Sequence, residues 1–165
     1  LATYASSFIA GQLVRLNRLR RGDVAGAEEL GAQLQQSAPD HRVVAQLMLY
    51  HLIPALIRCD AGDMAGAATL MQVALDESRH CNGLRFWHIF AYALGQIDET
   101  GFRSQPCKED LIEVLRLAQA LRTELTGNRQ AAHSAWGIWL AGNPDILNQW
   151  IMRSIANWRI ASLAK

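Results

Sequence analysis

This chain has almost no charge imbalance: 16 basic residues against 15 acidic leave a net charge of +1. That removes the global attraction to nucleic acid or to an anionic membrane that a strongly basic chain would have. Cysteine is equally sparse. Cys59, Cys81 and Cys107 are odd in number, far apart and without a C-x-x-C pair, a usage that argues against a disulfide framework and fits reduced, buried thiols in a cytoplasmic protein. No apolar run reaches the roughly 18 residues of a membrane span. Leu1 to Leu19 has no basic start ahead of its apolar part, so it does not read as a signal peptide. The five histidines, His41, His51, His80, His88 and His133, include no i, i+4 pair, and H-E-x-x-H, G-x-S-x-G and a Gly-rich phosphate loop are all missing. His80 and Cys81 are neighbours, but adjacent helical residues point in different directions and make no thiolate pair. The expectation is a chain that is not an enzyme, with no catalytic residue, metal ligand set or cofactor, and with no direct nucleic-acid or membrane contact.

What is present is a repeat. Gly22-Asp23-Val24-Ala25-Gly26-Ala27 returns forty positions later as Gly62-Asp63-Met64-Ala65-Gly66-Ala67, and Leu16, Arg18 and Leu30 match Leu56, Arg58 and Leu70 in the same register. Gly followed by Asp is what a tight turn between two helices needs: Gly takes the left-handed conformation that ends one helix, and Asp caps the next. With 165 residues, 50% of them hydrophobic, the chain can bury one sizeable core.

Helical spacing recurs along the whole length. A first helix is predicted over Thr3–Arg20, with Arg15, Arg18, Arg20 and Arg21 gathered toward its C-terminus as a solvated cap. A second spans Val24–Gln36, with Ala27, Leu30, Gly31 and Leu34 on one stripe. Ser37-Ala38-Pro39-Asp40 has capping-box form and opens a third helix that ends near Ala61 and is apolar on almost every face, so it belongs between neighbouring repeats. Pro54 inside it should bend the axis near Tyr50. A fourth helix covers Met64–His80, and after Asn82-Gly83 an aromatic fifth covers Leu84–Ile97. Gly101 stands where the turn should recur, but Phe102 to Cys107 lengthens the connector before Lys108-Glu109-Asp110 opens a sixth helix ending at Thr126-Gly127-Asn128. A seventh carries Trp136 and Trp139, Gly142-Asn143-Pro144-Asp145 echoes the turn, and a last helix holds Leu147, Trp150, Ile151 and Trp158. The predicted fold is all-α, with about eight helices in antiparallel pairs stacked into a right-handed superhelix.

The period of forty, the two G-D-x-A-x-A turns, and Gly83-Leu84-Arg85-Phe86-Trp87 after an Ala- and Leu-rich helix resemble the tetratricopeptide-like helical-repeat region of large bacterial LuxR-type, maltose-regulon-activator-like, ATP-dependent transcriptional regulators. The resemblance implies a regulatory segment that binds a protein partner or a small-molecule inducer. It also implies an ATPase module before it and a DNA-binding helix-turn-helix module after it in the same chain. Residues 1–165 would then be a single domain cut from a larger cytoplasmic protein. A general protein-interaction scaffold unrelated to transcription would be built from the same stack.

Repeat stacks bind along a concave surface lined mainly by the first helix of each pair. Here those helices hold Arg15, Tyr50 with His51, and Arg85 with His88, which makes these five the candidate ligand- or partner-binding residues.

Overall fold

The computed structural model describes residues 2–37, 44–79, 87–105, 111–142 and 149–165, with side chains from position 10 to 36, 50 to 79, 87 to 105, 111 to 142 and 151 to 165. The Ser37–Asp40 cap beyond its first residue, Arg85, Asn82-Gly83, Lys108–Asp110, and Asn143-Pro144-Asp145 lie outside the described residues. Among those described there are nine helices and no strand: α1 (Ala2–Arg20), α2 (Val24–Ser37), α3 (Val44–Asp60), α4 (Met64–Arg79), α5 (Trp87–Ala93), α6 (Glu99–Arg103), α7 (Leu111–Leu125), α8 (Arg129–Ala141) and α9 (Gln149–Leu163).

The repeated turns are built as their residues dictate. Gly22 and Gly62 take φ of 81° and 78°, a region that costs a side chain about 1–2 kcal/mol. In the first copy the Asp23 amide then donates to the Arg18 carbonyl at 3.0 Å, and in the second the Asp63 amide donates to Arg58 at 2.9 Å. Both contacts satisfy a carbonyl that the end of a helix would leave unpaired. Each Asp also caps the next helix, its Oδ1 accepting from the Gly26 amide at 3.0 Å and from the Gly66 amide at 2.8 Å. A Cβ at Gly26 or Gly66 would collide with that same carboxylate, which accounts for the second glycine of the pattern. Two further turns use the device: Gly95 at φ 73° ahead of Asp98, and Gly127 at φ 71° ahead of Asn128.

Two boundaries differ from the sequence reading. The left-handed turn after the aromatic helix falls at Gly95 and not at Gly101, because α5 already ends at Ala93. Gly101 lies inside the short α6, where its amide donates to the capping Asp98 at 2.7 Å. The irregular connector is thus partly helical, and α6 anchors it through the fully buried Phe102, which packs on Tyr92 and His88. α3, by contrast, runs as one helix through Pro54.

Consecutive helices pack against one another, α1 on α2, α3 on α4, α4 on α5, α5 on α7, α7 on α8 and α8 on α9. α3 lies between its neighbours, with Leu52, Ile53, Ala55 and Leu56 fully buried. Ala27 and Ala67, equivalent in the repeat, are both fully buried. The two Trp of α8, Trp136 and Trp139, are the largest buried side chains and meet edge to face with centroids 6.1 Å apart. One further contact positions the site: α9 also packs on α1, so the two ends of the array meet.

The first two pairs solve the same packing problem in opposite ways. Arg15 of α1 is buried, its Nε donates to the Ala27 carbonyl at 3.0 Å, and its guanidinium lies flat over Gly31, where a Cβ would stand 2.6 Å from Cζ. Forty positions on, the same two places are held by Ala55 and Met71, both fully buried. A large residue on one helix faces a small one on the other, and the two have changed sides.

Candidate binding cleft at the seam

Where α9 meets α1 and the end of α3, a polar network is buried beneath a cleft. Arg159 of α9 is fully buried and grips Glu124 of α7 with its planar fork: Nε donates to Oε1 at 2.7 Å and Nη2 to Oε2 at 3.0 Å. Trp136 of α8 donates its indole N–H to the same Oε1 at 2.7 Å. The third nitrogen of Arg159, Nη1, faces Asp60 Oδ1 at 2.8 Å in an ion pair. Asp60 is held from the other side as well, its Oδ2 accepting from the Ser162 hydroxyl at 2.6 Å, while Arg129 donates to the Ser162 carbonyl at 2.7 Å.

Two groups feel this arrangement. Burial alone would lower the pKa of Arg159, but its hydrogen bonds and ion pairs with Glu124 and Asp60 raise it above the usual value, so the guanidinium is permanently charged. Cys59, next to Asp60, is pushed up to about 12, first by burial and then by the negative charge of Glu124. At neutral pH it is a protonated packing residue and not a nucleophile.

Above the network lies a cleft of about 310 Å³, at the lower end of the range for small-molecule sites. Buried Leu19, Ile57 and Trp158 form its apolar base, exposed Val24, Arg20 and Lys165 its rim, and Asp60 and Ser162 join it to the network. It is bounded by the α1–α2 turn, the end of α3 and the end of α9, so whatever fills it touches both ends of the array.

The five residues singled out from the sequence are distributed differently. Arg15 and Tyr50 are buried and both bond to α2, Tyr50 donating to the Leu34 carbonyl at 3.3 Å. Burial without a close carboxylate lowers the pKa of Arg15 to about 10, against a smaller opposing effect of Glu28. His51 bonds instead to Glu77 of α4 at 2.9 Å. His88 is buried edge-on against Phe102, ring centroids 4.7 Å apart. Arg85 lies outside the described residues. The structure therefore brings Arg15 and Tyr50 to one helix and sets His51 and His88 apart from them.

Sequence reasoning did not single out Glu124, Arg159 or Asp60. Their signal is faint but present. Glu124 continues the buried stripe of Val114, Leu117 and Leu121, and Arg159 continues that of Met152, Ile155 and Ala156, so two apolar stripes each carry one charge and the charges are opposite. Among the described residues no group of three His, Cys, Asp or Glu is placed to hold a metal ion. No protein-family model, curated protein or solved structure matches this chain.

Proposed function

We propose that this chain is the non-catalytic, inducer-sensing helical-repeat segment of a cytoplasmic LuxR-type transcriptional regulator. The observation that carries the reading is the cleft at the seam, since a ligand seated there contacts α1, α3 and α9 together. Such a ligand favours the arrangement in which the two ends meet, by RT ln(1 + [L]/Kd), and no chemistry is needed for it to act. A few kcal/mol of differential affinity is enough to shift an equilibrium between joined and parted ends, and the flanking ATPase and DNA-binding modules would register that shift. The size of the cleft favours a small inducer over a protein partner as its direct occupant. The repeated turns support the assignment to a repeat stack, and none of the described helices is long and apolar enough to cross a membrane.

The coding sequence on either side of these residues tests the regulator. A phosphate-binding loop upstream and a helix-turn-helix downstream are expected. Flanks that contain neither would overturn it in favour of a general interaction scaffold.

A further inference from the structure

We infer that the seam cleft takes a small carboxylate with an apolar body. This rests on the cleft being the binding site, as proposed above, and goes beyond it to the chemical class of the ligand. The base of the cleft, Leu19, Ile57 and Trp158, is mainly apolar and includes one aromatic side chain, which fits a hydrocarbon body. The polar groups of the rim decide the other end of the ligand.

Most cations at this end of the array are already committed. Arg18 donates to the Gly26 carbonyl at 2.8 Å, Arg58 pairs with Asp63 at 3.1 Å, and Arg159 and Arg129 share Asp60. Arg20 and Lys165, the two cations on the cleft itself, hold no ion pair among the described residues. The negative charge of the acid in the cleft is partly offset, because Oδ1 of Asp60 faces Arg159 and Oδ2 accepts from Ser162. The repeat register points the same way. Arg18 and Arg58 are equivalent and both serve their turns, whereas the next equivalent pair, Arg20 and Asp60, differ in sign and both reach the cleft. Asp60 closes the network below, and Arg20 is left as the cation facing the ligand.

The test is calorimetric titration of the 165-residue chain with 3-phenylpropionate and with its neutral counterpart, 3-phenylpropanamide. The carboxylate should bind with a dissociation constant on the order of 1 mM, as its size allows, and the amide several-fold more weakly. Arg20→Ala should weaken the carboxylate about fivefold and leave the amide unchanged, and added salt should act in the same direction. Ala161→Trp, at an exposed position lining the cleft, should abolish binding of both, with Val24→Trp on the rim as a second plug. Equal binding of the two probes, or an unchanged carboxylate affinity in Arg20→Ala, would overturn the carboxylate class while leaving the cleft as a site. Binding of neither probe at about 10 mM, or binding that survives both plugs in variants that melt like the parent, would overturn the cleft itself. The flanking coding sequence judges the regulator independently of either result.

Discussion

If Arg15–Gly31 and Ala55–Met71 are two solutions to one packing problem, the first pair should accept the solution of the second. Gly31→Met alone places a Cβ 2.6 Å from the Arg15 Cζ and drives the guanidinium off its bond to Ala27. Overpacking of this kind costs about 1–3 kcal/mol, offset by the roughly 0.8–1 kcal/mol that a helical Gly gives up. Arg15→Ala alone removes one charge-assisted hydrogen bond of about 1.5–3 kcal/mol and leaves a void over Gly31, but it relieves a cation that burial disfavours. Each single variant should therefore lose about 1–2 kcal/mol. In Arg15→Ala/Gly31→Met the methionine fills the void, no buried charge remains, and stability should return to the parental level or exceed it. That is a coupling of about 2–4 kcal/mol. For a chain of this size about 1 kcal/mol moves the melting midpoint by roughly 2–4 °C, so thermal denaturation followed by circular dichroism resolves the cycle. A double variant that melts below both singles, at the sum of their losses, would refute the exchange.

The same register makes Gln12 the counterpart of Leu52: both are fully buried, and neither amide atom of Gln12 has a hydrogen-bond partner among the described residues. Gln12→Leu should raise stability by about 1–2 kcal/mol, and a lowered denaturation midpoint would show that the amide is satisfied after all. Glu124→Leu leaves Arg159 with Asp60 alone and strands the Trp136 indole N–H, and should cost about 3–5 kcal/mol in urea denaturation. Glu124→Leu/Arg159→Met should recover most of that loss, and a double variant no better than the single would contradict the pairing. Cys59 should make the fold sensitive to alkali. Its pKa rises from 9.0 to about 12 on folding, so its contribution is complete below pH 9 and is lost as the pH climbs toward 12, where the unfolded thiol ionises and the folded one does not. Cys59→Ala should show a shallower fall in melting midpoint above pH 9 than the parent, and parallel curves would exclude this role.

The turns were legible in the sequence because everything they need is local: Gly for a positive φ, Asp for a cap three residues from its partner amide, a second Gly to make room. The helices followed from apolar spacing for the same reason. Gly95 and Gly101, six positions apart, offer the same punctuation in sequence, and only the fold shows that the turn is at the first and that the second lies inside α6. The site was hidden for a different reason. Asp60 and Ser162 are 102 positions apart, and Arg159 and Glu124 are 35 apart, so no period or motif joins them. Arg15 read as a surface cation at a helix end, and it is buried because Gly31, on the next helix, lets it lie down.

The contact between α9 and α1 also bears on the order in which the molecule assembles. In an open solenoid each repeat touches only its neighbours, so structure can spread from any point and the ends can fray alone. Here the first helix leans on the last, across nearly the whole length of the chain. Closing so long a loop has an entropic cost that local helix pairs do not bear, which makes the docking of α9 a late event on the path to the native state. Leu19 of α1 and Trp158 of α9 meet at the cleft, so parting the two helices would uncover both. The contact between the first and last helices described thus couples hairpins that an open array would leave independent, and it does so at the place where the cleft forms.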